Sequence, residues 1–96
     1  MRIVGRDKLD EFSGTPADVR SWIETWLAEV QAAAWANTHD IKARYASASF
    51  VGENTVIFNV RGNNYRLEVT VAFKTAIVVV AWIGTHAEYD RRNKRR

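Results

Sequence analysis

The stretch Thr55-Val56-Ile57-Phe58-Asn59-Val60-Arg61-Gly62-Asn63-Asn64-Tyr65-Arg66-Leu67-Glu68-Val69 decides the fold. Val56, Phe58 and Val60 recur at every second position, the period of a strand with one buried face. Gly62-Asn63 then reads as a two-residue hairpin loop with glycine first, the type II′ turn whose twist suits flanking strands. Such a loop pairs Val60 with Tyr65, Phe58 with Leu67 and Val56 with Val69, so apolar meets apolar. It also sets Asn59 opposite Arg66 and Arg61 beside Asn64 on the other face. A slip of one residue would bury those polar groups, so the register is well specified.

Downstream, a second turn near Lys74-Thr75 returns the chain and pairs Val71 with Val78, Val69 with Val80 and Leu67 with Trp82. Trp82 is thereby expected on the helix-covered face and Gly84 opposite Tyr65. Ile77, Val79, Ala81 and Ile83 make the other face of that strand apolar too, which calls for shelter by a partner chain or by the tail. Upstream, Gly52-Glu53-Asn54 reads as a turn and Ala48 to Val51 as a short strand.

The first half of the chain is helical after a short strand, Arg2 to Val4. Leu9 and Phe12 mark one face of a short helix, Arg6 to Phe12, ended by Ser13-Gly14. Thr15-Pro16-Ala17-Asp18 is a helix start, with a capping threonine, proline at the first helical position and an early acid. Val19, Trp22, Ile23, Trp26, Leu27 and Val30 follow at spacings of three and four, a wide apolar stripe. The two tryptophans within that stripe are therefore core residues rather than stacking platforms, and Trp35 closes the same core. Asn37-Thr38-His39-Asp40 caps a further short helix through Tyr45, with Lys42 and Arg44 outward and His39 structural or exposed. The expected class is α+β: an antiparallel sheet of four to five strands with two to three N-terminal helices on one face.

At 96 residues the chain makes one domain, read as residues 1–90 followed by a basic tail at 91–96. No second cofactor-binding domain fits, and no cofactor is expected. With no cysteine there is neither a disulfide framework nor a thiolate metal site. The start lacks the apolar stretch of a signal peptide, and the longest apolar run, the eight residues from Ala76 to Ile83, is short of the about 20 that span a membrane. A cytoplasmic protein without membrane partners is the expectation. Net charge is +3, yet residues 1–40 hold four Lys or Arg against seven Asp or Glu, and residues 41–96 hold ten against four. Five of the fourteen cations lie in the tail Arg91-Arg92-Asn93-Lys94-Arg95-Arg96, which reads either as a solvated end or as an arm for phosphates.

The densest chemistry follows the last strand, in Gly84-Thr85-His86-Ala87-Glu88-Tyr89-Asp90. Cleaving RNA without a metal needs a base for the 2′-OH proton, an acid for the leaving 5′ oxygen and cations for the charged phosphorane. Histidine suits either proton role near neutral pH, an arginine fork holds two phosphate oxygens, and lysine offers a point charge. His86, Arg66 or Arg61, and Lys42 fit these parts. Tyr89 can stack on a splayed nucleotide, and Glu88 or Asp90 can orient His86. The plain alternatives are that Tyr89 pins the C-terminal turn and that Arg66 merely pairs with Glu68 or a neighbouring acid.

Phe58-Asn59-Val60-Arg61-Gly62-Asn63-Asn64-Tyr65-Arg66-Leu67 and Ile83-Gly84-Thr85-His86-Ala87-Glu88-Tyr89-Asp90, with Asp40-Ile41-Lys42-Ala43 and Phe50-Val51-Gly52, resemble the HigB family of toxins from bacterial toxin-antitoxin pairs. The resemblance runs in order through residues 1–90. It implies a RelE-like fold and metal-independent cleavage of mRNA on the translating ribosome, which inhibits translation. It also implies a HigA-like helix-turn-helix antitoxin as partner, with DNA met only through that antitoxin. By matched position it implies Arg66 at the phosphate, His86 in proton transfer, Tyr89 at the nucleotide and Lys42 as added positive charge. Asn59, Arg61 and Asn64 would contact RNA, and Arg91 and Arg92 of the tail would extend that contact or belong to the antitoxin interface. Two departures stand out: no proline in Tyr45-Ala46-Ser47-Ala48-Ser49, and an unusually basic tail. A non-catalytic RNA- or ribosome-binding module of the same fold is the alternative.

Overall fold

A computed structural model describes residues 1–12, 17–60 and 64–94. Its elements are β1 (Arg2–Val4), α1 (Arg6–Phe12), α2 (Ala17–Ala32), α3 (Thr38–Arg44), β2 (Ser49–Val51), β3 (Thr55–Val60), β4 (Tyr65–Ala72), β5 (Ile77–Thr85) and α4 (His86–Lys94). The α+β class expected from the sequence is the one formed. The helix end at Ser13-Gly14, the capping Thr15-Pro16, Arg61 and the loop at Gly62-Asn63 lie outside the described residues.

The five strands run in the order β1-β5-β4-β3-β2. The first hairpin has the expected register, with Val60 opposite Tyr65, Asn59 opposite Arg66, Phe58 opposite Leu67 and Val56 opposite Val69. The sheet is mixed, however, rather than antiparallel throughout, because β1 lies parallel to β5 with Ile3 against Val78. The meander leaves one edge of β5 open, and a three-residue strand entering from the N-terminus fills it. Gly5 then swings the chain over β5 at a positive φ of 88°, so close that a Cβ there would stand 2.8 Å from the Val80 carbonyl oxygen.

The second hairpin corrects the sequence reading. Val71 faces Val78 and Val69 faces Val80 as expected, but the next pair is Glu68 with Trp82, then Leu67 with Ile83 and Tyr65 with Thr85. Ala81 is the extra residue of a β-bulge, and one extra residue turns every later side chain of the strand to the opposite face. Ile83 therefore joins the main core, Trp82 leaves it, and Gly84 stands opposite Arg66 rather than Tyr65.

One face of the sheet packs against the N-terminal helices. Leu9 of α1, Val19, Ile23, Trp26 and Val30 of α2, and Ile41 of α3 are buried with Phe58, Leu67, Val69 and Val78. Trp26 is 1% exposed and meets Phe58 edge-on at 5.6 Å, so the stripe reading of α2 holds; truncating such an indole costs roughly 3–5 kcal/mol. Trp35 is buried beside it, as expected. The Met1 amino group donates to the carbonyls of Val30 and Ala33 at 3.0 and 2.6 Å, fastening β1 to the end of α2. Asn37 caps α3 by accepting from the Asp40 amide at 3.2 Å, and Asp40 in turn accepts from Ala36 N–H at 2.8 Å. His39 is simply exposed.

Helices are not confined to that face. Residues 86–94 form α4, across position 90 and into the stretch read as a tail, and α4 packs back on β4 and β5. Beneath it Ile57 and Glu68, paired in register, are buried on the far side of the sheet. The apolar far face of β5 is thus sheltered in part by the chain's own end, while Val79 remains 39% exposed.

Candidate functional site

Two cross-strand rows lie on the α4 side of the sheet. Asn59, Arg66 and Gly84 form one, and Ile57, Glu68 and Trp82 the next. Gly84 is small for a reason: a Cβ there would come within 2.5 Å of the Trp82 indole, which occupies the space above it. The indole is flanked by the Tyr89 ring at 6.0 Å and the Arg92 guanidinium at 5.2 Å, and the Arg66 guanidinium lies 6.0 Å from the other ring, Tyr89. The result is a ladder of cation, ring, ring and cation, each step favourable to the positive charge at its end.

α4 holds the remaining groups over these rows. Its start is a capping box in Thr85-His86-Ala87-Glu88. The Glu88 amide donates to the Thr85 hydroxyl oxygen at 3.2 Å, and the Glu88 carboxylate accepts from the Thr85 amide and hydroxyl, both at 2.9 Å. Just inside, His86 N–H donates to the Asn64 carbonyl at 3.0 Å, which continues the β4–β5 ladder into the helix. One turn later Asp90 stands 3.3 Å from His86 Nδ1. With Nδ1 on that carboxylate, Nε2 is the ring nitrogen left for proton transfer. The imidazole is 42% exposed, open to a ligand.

At its other end α4 is tied down by Arg92, whose Nη1 donates to Glu68 Oε1 at 2.8 Å. Glu68 is 8% exposed, and this carboxylate is where an arginine must sit if the ion is to stay buried. The sequence reading placed Arg92 with RNA; in the structure its guanidinium is paired with Glu68. Arg91 is exposed on the same helix.

The capping box makes a pH prediction. The Thr85 amide, then the Thr85 hydroxyl, and more weakly the Arg91 charge hold the Glu88 carboxyl below its ordinary value. A depressed folded value means that this contribution is complete above the unfolded carboxylate range, about 4.3, and is lost as the pH falls through the folded value. Amide protection at the start of α4, taken relative to the intrinsic exchange rate at each pH, is expected to fall on acidification in the wild type and to show a flatter pH dependence in Glu88→Gln. Thr85→Ala removes the other half of the box and is expected to cost about 1 kcal/mol.

Of the residues singled out in the sequence, Arg66, Tyr89 and His86 gather on this side, with Asn59 across from Arg66. The Asn59 amide turns outward and donates to the Ser47 carbonyl at 3.2 Å. Asn64 contributes its backbone carbonyl, its side chain being exposed. Arg61 lies outside the described residues. Lys42 does not join the group: its ammonium donates to the Ala48 carbonyl at 2.8 Å and lies 6.0 Å from the Phe50 ring, beside the edge strand β2. Sequence reasoning passed over Trp82, whose face depends on the bulge, and Glu68, whose face follows from the first hairpin but whose burial comes with α4. It also missed the cap, although the Thr-x-x-Glu spacing was there to be read. Among the described residues no three His, Asp or Glu side chains gather as a metal site, and no helix is long and apolar enough to cross a membrane.

A family model described as HigB_toxin, a RelE-like toxic component of a toxin-antitoxin system, matches residues 19–92. No curated protein matches the chain.

Proposed function

The chain belongs to the HigB toxin family, RelE-like toxic components of toxin-antitoxin systems, and on that premise we propose that it is a metal-independent endoribonuclease that cuts mRNA on translating ribosomes. The observation that carries the reading is the convergence of Arg66, Tyr89 and the Asp90-held His86 on one side of the sheet. In the proposed reaction the 2′ oxygen attacks the adjacent phosphorus, the bond to the 5′ oxygen breaks, and a 2′,3′-cyclic phosphate and a 5′-OH result. His86 Nε2 takes or returns the proton. The Arg66 fork holds the non-bridging phosphate oxygens as charge builds on them, and Tyr89 stacks on the nucleotide.

Supporting cations are Arg91, exposed one turn after His86's neighbour Ala87, and Lys42 at the sheet edge. Arg92 acts instead through α4. In the cytoplasm an antitoxin of the helix-turn-helix kind neutralises the chain, and DNA is reached only through that partner. The test is induction of the chain in a bacterial host with mapping of mRNA ends. Growth arrest with new 5′-OH ends inside reading frames, unaffected by EDTA in a purified translation mixture, is expected. Arrest with intact mRNA would favour the binding-module alternative and overturn the nuclease reading.

A further inference from the structure

A groove of about 710 Å³ lies between α2 and the chain following α3, lined by neither His86 nor Tyr89. The Trp22 and Tyr45 rings supply its apolar surface, with the almost wholly buried Trp26 behind them and Ser21, Thr25 and Ser47 hydroxyls around them. Two features set it apart from an ordinary crevice. First, the Trp26 indole N–H is buried with no acceptor among the described residues, and a buried donor left unsatisfied costs about 1–3 kcal/mol. Second, the charges in its wall are already neutralised: Glu29 accepts from both Arg44 and the Tyr45 hydroxyl. Burial and that carboxylate push the Tyr45 phenol well above its ordinary range, so it stays a neutral donor.

A neutral groove lined by rings and hydroxyls, with that N–H buried behind its floor, suits a flat, uncharged heterocycle. Its position names which one. Asn59 forms part of the wall and is the cross-strand partner of Arg66, and such partners stand about 4.5–5.5 Å apart at their Cα atoms. A strand whose phosphate meets Arg66 passes this edge of the sheet. We propose that the groove is a nucleobase subsite, which takes one unstacked base of the single-stranded RNA that the His86 side cleaves. It rests on the proposed nuclease reading and adds where a neighbouring nucleotide is held.

The test uses the full chain carrying His86→Ala, to prevent cleavage, and a fluorescent single-stranded octanucleotide in which each position in turn is abasic. One position is expected to weaken binding by roughly 5- to 100-fold when its base is removed. In Trp22→Ala that sensitivity is expected to vanish. In Trp26→Phe, which keeps a ring in the core, it is expected to shrink several-fold. Circular dichroism checks that both variants fold. No position sensitivity, sensitivity unchanged in both variants, or no binding overturns the proposal. So does loss of antitoxin affinity in these variants with RNA binding intact, which would make the groove a protein socket. Cleavage by the chain with His86 intact is scored separately: if it occurs while the groove variants change nothing, the subsite falls and the nuclease stands. If it never occurs although one base is held, the reverse is true.

Discussion

His86→Ala is expected to lower RNA cleavage by roughly 10²- to 10⁴-fold, the usual worth of a positioned proton-transfer group, while stability moves by no more than about 0.5 kcal/mol. The small stability change follows from surroundings. The imidazole is 42% exposed, its partner Asp90 is 53% exposed, and the residue's structural bond to Asn64 uses the backbone, which alanine keeps. Asp90→Asn, which leaves an oxygen to accept from Nδ1 but removes the charge, should have a milder effect and separate orientation from electrostatics. Arg66→Lys is a parallel probe: it keeps the positive charge and loses the fork, so cleavage should fall although oligonucleotide binding persists. Equal cleavage by wild type, His86→Ala and Arg66→Ala would move the chemistry elsewhere.

Among changes on the α4 side of the sheet, removing Arg92 is expected to have the largest effect on stability. Arg92→Ala leaves the Glu68 carboxylate buried at the base of α4, and breaking a buried pair from one side costs about 3–5 kcal/mol, less here since Arg92 keeps a third of its side chain in water. A loss of roughly 2–3 kcal/mol corresponds to about 10 °C or more in Tm for a domain of this size. Cleavage should fall too, since α4 carries His86 and Tyr89. Pairing the change with Glu68→Leu removes the buried charge as well and should recover much of the Tm. Thermal melts of the single and double variants decide the point: equal Tm in wild type and Arg92→Ala would mean that α4 is held by its cap and rings alone.

Much of this architecture is legible in the chain, for identifiable reasons. A two-residue loop and a polar set that must avoid the core leave β3 and β4 only one register, so Asn59, Arg66 and their face follow from residues 55–69. The stripe of α2 and the cap at Asn37 are equally explicit. β5 is different: from Ala76 to Ile83 it is apolar on both faces, so no alternation exists whose phase could reveal the extra residue at Ala81. The parallel pairing of β1 has no signature either, since three residues carry no record of direction. Residues 91–94 read as a tail because their charges show no apolar stripe; their helix is held by one distant carboxylate, Glu68, whose inward position itself depends on strand pairing. The placing of the candidate residues was legible where it hangs on the first hairpin. It was not where it hangs on the bulge or, for Lys42, on a helix whose outward face offers no clue to its neighbours.

Ala81 is where β5 carries one residue more than β4 can match. A chain shorter by Ala81 itself would close the bulge and still set Trp82 opposite Glu68 and Ile83 opposite Leu67, with the indole left beside Tyr89 and Arg92. A residue lost elsewhere in β5 would use up that slack and shift either the β1 edge or the start of α4. Deletions along this strand should accordingly be tolerated best at Ala81, because what it contributes is slack in the count.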